Sequence, residues 1–172
     1  MSERESESEK ENESELNVLV GHATNAGGTS GVTVFVPPPG AAHWVASASF
    51  VGPAPGTRDC VLLAPDKSVA RLDALVFAGG SAFGLAAASG VACALRDRGV
   101  GLDTPGKSYT SILTSCNLRC QLIAYVRLCR QPCAGGRVPI VSSAVIFDLV
   151  RAGNHSGLAA PDAPLGAQAL QK

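Results

Sequence analysis

Apolar positions along the chain fall into short runs separated by glycine- and proline-rich stretches, a pattern that predicts several strands and few helices. Residues 16–20 form the first run and pass into Gly21-His22-Ala23-Thr24. A glycine-rich turn over 25–31 leads to Val32-Thr33-Val34-Phe35-Val36, whose β-branched density predicts a strand that Pro37-Pro38-Pro39-Gly40 ends. Over 43–51 apolar and polar positions alternate, placing Trp44, Ala46, Ala48 and Phe50 on one face of a half-buried strand. Turn chemistry fills 52–58, and a short helix is predicted to begin near Asp66 with Val69 and Leu72 inward.

The chain is organised around residues 73–99. The unbroken apolar run 74–78 predicts a strand covered on both faces, too short for a helix. Gly79 and Gly80 follow, where a positive φ carries no steric penalty, and Ser81 is placed to cap a helix. Gly84, Ala87, Ala88, Val91 and Leu95 share one helical face; Arg96 and Arg98 suit the negative end of the helix dipole, and Gly99 is the expected stop. The small residues on that face allow close packing on a sheet. After residue 138 a second strand-forming run extends to Leu149, a loop covers 151–155, and another helix is predicted to begin over 161–167. Strands followed by a strand–helix unit define a mixed α+β class.

Charge changes this picture at one end. The 172 residues have zero formal net charge, but Glu3, Glu5, Glu7, Glu9, Glu11, Glu13 and Glu15 are half of the 14 acidic residues. Residues 2–15 contain no apolar side chain, so 1–15 is read as a disordered acidic leader and 16–172 as the structured part. The leader has neither the basic start nor the apolar centre of a signal peptide, and no run is long enough to span a membrane. The expectation is a cytoplasmic protein with no nucleic-acid or membrane partner.

The glycine turn is the candidate site. Free amides at Gly79, Gly80 and Ser81, ahead of a helix, can hold a phosphate, a carboxylate or a developing oxyanion. Taken alone, the turn is read more readily as a packing device, because it lacks the spacing and lysine of a P-loop and is no dinucleotide fingerprint. His22 and His43, each beside a strand, are read as packed or solvated side chains, with no partner at metal or triad spacing.

Six segments in order carry a family resemblance: Gly21-His22-Ala23-Thr24, Gly31-Val32-Thr33-Val34, Ala54-Pro55-Gly56-Thr57-Arg58, Gly79-Gly80-Ser81-Ala82-Phe83-Gly84-Leu85, Val138-Pro139-Ile140-Val141 and Phe147-Asp148-Leu149. Together they resemble the L-aminopeptidase/D-esterase family, which includes β-peptidyl aminopeptidases, over residues 16–107 and again from 136. The resemblance implies an α/β/β/α sandwich similar to N-terminal nucleophile hydrolases, present here as an incomplete N-terminal portion. It also implies a precursor that cuts itself to expose a Ser or Thr nucleophile, whose freed amine serves as base. Family members remove N-terminal residues from short peptides and amides, need no metal or other cofactor, and form homo-oligomers.

The chain departs from the family in three ways. The precursor is longer, and its nucleophile lies past Lys172, so no catalytic residue is assigned; Gly79, Gly80 and Ser81 are the expected substrate-binding loop. Some relatives have tyrosine where Phe147 stands, and Phe147 cannot donate a hydrogen bond to an oxyanion. The expected function is therefore a truncated, self-processing-type aminopeptidase inactive by itself. The alternatives are a non-catalytic assembly subunit and a small-anion binder at Gly79–Ser81. The strands at 32–36, 74–78 and 138–149 are expected to need neighbours from later sequence, which makes an aggregation-prone or molten chain the expectation for this portion alone.

The third departure is an insertion, 108–134, between helix and strand. It carries Cys116, Cys120, Cys129 and Cys133, four of the six cysteines, with three arginines and no acid. The C-x3-C-x8-C-x3-C spacing is not that of common zinc fingers or ribbons, and no histidine assists. A disulfide pair is unexpected in an intracellular chain. Gly106-Lys107-Ser108 can be encoded by a splice-donor sequence and Ala134-Gly135 by an acceptor, so the segment reads as translated intron. Deleting 108–134 should leave the circular-dichroism spectrum of the remaining residues in place, and the purified protein should contain no stoichiometric zinc by metal analysis. About one zinc per chain, lost on Cys116→Ser with Cys133→Ser, would contradict this reading.

Overall fold

The computed structural model describes residues 18–69, 71–103, 136–149 and 160–171. The acidic leader 1–15 and the insertion 108–134 with its four cysteines lie outside the described residues, as does the loop 151–155. Seven strands and two helices are described: β1 Leu19–Thr24, β2 Gly31–Val36, β3 Thr57–Arg58, β4 Ala74–Ala78, α1 Leu85–Asp97, β5 Leu102–Asp103, β6 Arg137–Val138, β7 Val141–Val145 and α2 Ala163–Ala169. One mixed sheet has the order β1-β2-β4-β7-β3, and β5 pairs with β6 separately. β4 and β7 run parallel, from Ala74 opposite Val141 to Ala78 opposite Val145; the other pairings are antiparallel.

β4 has the bounds its apolar run predicts, but among the described residues it is covered on one face only. Ala74, Val76 and Ala78 are buried, as are Val32 and Val34 on β2 and Val141 on β7. They pack with Ala87, Ala88, Val91 and Leu95 of α1 and with Ala169 and Leu170 at the end of α2 in a single core. On the opposite face Val20 is 45% exposed and Phe77 37% exposed, and Phe35 meets Phe77 edge to face at 5.9 Å between ring centroids. Alternation along β2 and β4 sends every second side chain to that second face.

Several sequence expectations shift. The first strand starts at Leu19 and runs through Gly21–Thr24, because that tetrapeptide pairs residue by residue with 31–34 of β2. The predicted strand over 43–51 reduces to one bridge, Trp44 with Leu72; Ala48 and Phe50 are exposed, so nothing rewards continued pairing. No helix starts at Asp66; a 3-10 turn spans Cys60–Leu63 instead, and Leu72 is nevertheless buried. The run after residue 138 breaks at Pro139-Ile140, giving β6 and β7 instead of one long strand.

Two features hold the layers together. Asp73, fully buried, accepts from Arg71 Nε at 2.8 Å and pairs with its Nη2 at 2.6 Å, while its other oxygen accepts from the Ile140 amide at 2.8 Å. The Asp73 amide donates back to the Ile140 carbonyl at 2.8 Å, so this residue joins the start of β4 to the start of β7. The second feature is backbone-to-backbone contact between helices. A Cβ at Gly90 would strike the Ala163 carbonyl, and one at Gly166 the Ala87 carbonyl. Asp162 caps α2 by accepting from the Leu165 amide at 3.0 Å, and Gly99, at φ 73, ends α1 as expected.

Asp73→Ala should lower the unfolding free energy by about 3–5 kcal/mol, since it leaves the Arg71 charge and the Ile140 amide without their acceptor. Gly166→Ala should also destabilise, because the contact is backbone on backbone. Lys67→Ala, which removes the exposed pair with Asp66, should change stability by less than about 1 kcal/mol. Urea unfolding followed by circular dichroism ranks the three.

Candidate functional site

Three segments meet beyond the end of β4: the β1–β2 loop, the Gly79-Gly80-Ser81 turn and the residues after β7. Asn25 shapes the first. Its Oδ1 accepts from the Thr29 amide at 2.9 Å and the Ser30 amide at 3.3 Å, its Nδ2 donates to Thr29 Oγ1 at 3.1 Å, and its own amide donates to the Ser30 carbonyl. This side-chain mimicry of a turn is what asparagine offers in such loops. It presents Ser30, 8% exposed, whose hydroxyl donates to Asp148 Oδ2 at 2.7 Å. Asp148 Oδ1 accepts from the Gly80 amide at 2.6 Å. One carboxylate therefore ties all three segments.

The turn itself differs from its sequence reading. Gly80 takes the positive φ expected, at 81, but Gly79 does not; its lack of a side chain serves a close approach instead. A Cβ at Gly79 would collide with Ser30 Oγ and the Asp148 carboxylate. Ser81 is not a helix cap. It has φ 54, makes no capping bond, and opens a 3-10 turn over Ser81–Gly84 that leads into α1 at Leu85. A left-handed backbone at a residue with a side chain costs on the order of 1 kcal/mol, and such strain is concentrated at sites the surroundings over-determine.

The amides expected to point outward are engaged within the chain. Gly79 N–H donates to the Gly31 carbonyl at 3.0 Å, Gly80 N–H to Asp148, and Ser81 N–H to the Ile146 carbonyl at 3.1 Å. The anionic group at this turn is the protein's own Asp148.

Beside the cluster lies a cleft of about 250 Å³ lined by His22, Thr24, Thr33, Gly79, Ile146 and Asp148, among others; none of the described residues that line it is Lys or Arg. His22 Nδ1 pairs with Thr33 Oγ1 at 2.9 Å across the β1–β2 register. Of the expected loop, Gly79 reaches the cleft wall; Gly80 acts through its bond to Asp148. His22, set aside on sequence grounds, faces this cleft, whereas His43 is exposed away from it. The signal that could have found His22 is the period of two: residues 20, 22 and 24 alternate with the buried side of β1. Phe147 is 67% exposed next to Asp148.

Elsewhere, Arg58 Nη1 donates to Ser89 Oγ of α1 at 2.6 Å. Burial pushes the Cys60 thiol above its ordinary value, against hydrogen bonds to the Arg58 and Ser143 carbonyls that lower it. That makes Cys60 a packed thiol with weak nucleophilicity. No three His, Cys, Asp or Glu side chains among the described residues could hold a metal ion, and no described helix is long and apolar enough to cross a membrane.

Known proteins bear on this geometry. The chain is similar to uncharacterized aminopeptidases of Mycobacterium tuberculosis and Mycobacterium bovis, each 42% identical over 126 residues covering 72% of this chain and 27% of the relative. An uncharacterized aminopeptidase of Mycobacterium leprae is 40% identical over 124 residues, 72% of this chain and 25% of its own length. The chain thus spans about a quarter of the length of the curated relatives it matches. No protein-family model matches it. The similarity supports an aminopeptidase family.

Asp148→Ala should cost about 1–3 kcal/mol, the penalty for leaving the Gly80 amide and the Ser30 hydroxyl without an acceptor. Ser30→Ala should add little in that background although it destabilises the unaltered chain. A double-mutant cycle by urea denaturation checks the coupling.

Proposed function

We propose that this chain is part of an aminopeptidase that removes N-terminal residues from short peptides and amides, and that it supplies one wall of the substrate cleft. The observation that carries the reading is the 42% identity to proteins named aminopeptidases, over 126 residues. The cleft is compatible with it: a carboxylate, an imidazole and two threonine hydroxyls border a space large enough for one or two residues.

The L-aminopeptidase/D-esterase family, with its α/β/β/α sandwich, is the specific assignment proposed. Under it, the nucleophile is a Ser or Thr exposed by self-cleavage in sequence that this chain does not contain, and the whole protein assembles as a homo-oligomer. Asp148, Gly79 and Ser30 then act as a scaffold that sets the cleft wall. Phe147 leaves oxyanion stabilisation to other donors, since a phenyl ring offers none. The sheet face with Val20, Phe35 and Phe77 supports the sandwich reading, because a second sheet would cover it. The small-anion alternative loses support from the engaged amides at Gly79, Gly80 and Ser81.

The 172-residue chain alone should release no p-nitroaniline from aminoacyl p-nitroanilides. A chimera in which its residues 16–172, without 108–134, replace the matching segment of the Mycobacterium tuberculosis relative should cleave itself and hydrolyse the substrates that relative hydrolyses. A folded chimera that leaves those substrates intact would overturn the proposal.

A further inference from the structure

Asp148 has acceptor capacity beyond its internal bonds. A carboxylate offers about four acceptor positions, and here Gly80 and Ser30 occupy one on each oxygen. The side chain is half-buried and lines the cleft, so it is held in one place by two bonds while still reaching the open space. Among the described residues that line the cleft, Asp148 is the one carboxylate and none is Lys or Arg.

These features select a ligand. An anion is disfavoured by the carboxylate and by amides already engaged. A divalent metal would find two candidate side chains, His22 and Asp148, fewer than a protein site ordinarily supplies. A primary ammonium suits the remaining geometry: it brings three donors and a charge, for which Asp148, Thr24 and Thr33 are acceptors, while Ile146 offers an apolar surface to a short aliphatic side chain.

We propose that Asp148 receives the free α- or β-ammonium of the substrate's first residue, with Thr24 and Thr33 as supplementary acceptors; this rests on the aminopeptidase reading. It makes Asp148 a specificity-determining residue that distinguishes free from blocked N-termini. No bond is made or broken at this point.

The test titrates alaninamide, β-alaninamide and N-acetylalaninamide into the isotopically labelled 172-residue chain or, where its spectrum is that of a molten chain, into the chimera described above, followed by amide and imidazole NMR signals. Both free amines should shift the Gly80 amide and the His22 ring signals saturably, and the acetylated amide at equal concentration should not. Asp148→Asn keeps an acceptor for Gly80 and a polar group facing Ser30 but removes the charge, so it should weaken binding roughly tenfold or more. Equal shifts from the acetylated amide, no saturable shift with either amine, or unchanged affinity in Asp148→Asn would each overturn the proposal. Should Asp148→Asn lose the folded spectrum, the contrast between free and acetylated amides on the unaltered chain decides. Binding of the amines beside an inactive chimera sinks the aminopeptidase reading alone; an active chimera whose Asp148 ignores the amines sinks this inference alone.

Discussion

The carboxylate of Asp148 is the point on which the site's geometry depends. It joins a loop, a turn and a segment that are far apart in sequence, through the Ser30 hydroxyl and the Gly80 amide. That meeting requires the missing side chain at Gly79, where a methyl group would overlap both Ser30 and Asp148. Charge-assisted hydrogen bonds of this kind are roughly twice as strong as neutral ones, which helps to hold the left-handed backbone at Gly80 and Ser81. The same bonds consume the amides that would otherwise attract an external anion, and they leave a fixed negative group at the cleft wall.

The frame behind the cleft relies on small residues in the same way. Gly90 and Gly166 let α1 and α2 touch along their backbones, and the pair covers the buried side of β1, β2, β4 and β7 with alanines and valines. Asp73 then aligns the two parallel strands whose far ends carry Gly79 and Asp148. Register errors between β4 and β7 would pull the turn away from its carboxylate, so the buried ion pair and the cleft are mechanically linked. The other side of the sheet shows Phe35, Phe77 and Val20 to the surroundings, an arrangement suited to packing against another sheet.

Much of the local structure was legible in the residues. The run 74–78, the helical face of Ala87, Ala88, Val91 and Leu95, and the stop at Gly99 follow from period and backbone freedom, and each is where the pattern places it. The alternation over 43–51 misled, because a period of two predicts a strand only where another strand is present to pair with it, and Trp44 alone finds one. Ser81 misled for a related reason: its hydroxyl is a good cap in isolation, but the bond from its amide to Ile146 and the left-handed Gly80 before it set a different backbone.

The glycine turn could be read as a candidate site, yet its chemistry could not. Sequence determined the strand–turn–helix unit and the absence of side chains at Gly79 and Gly80, since these depend on local sterics. Which group fills the turn depended on a residue 68 positions away, Asp148, brought in by the parallel pairing of β7 with β4. The same pairing, with the β1–β2 register, put His22 and Thr33 in the wall of the cleft that this carboxylate lines. Contacts between residues distant in the chain carry no local signature, because they arise from the packing of whole elements; only the tertiary structure decided them.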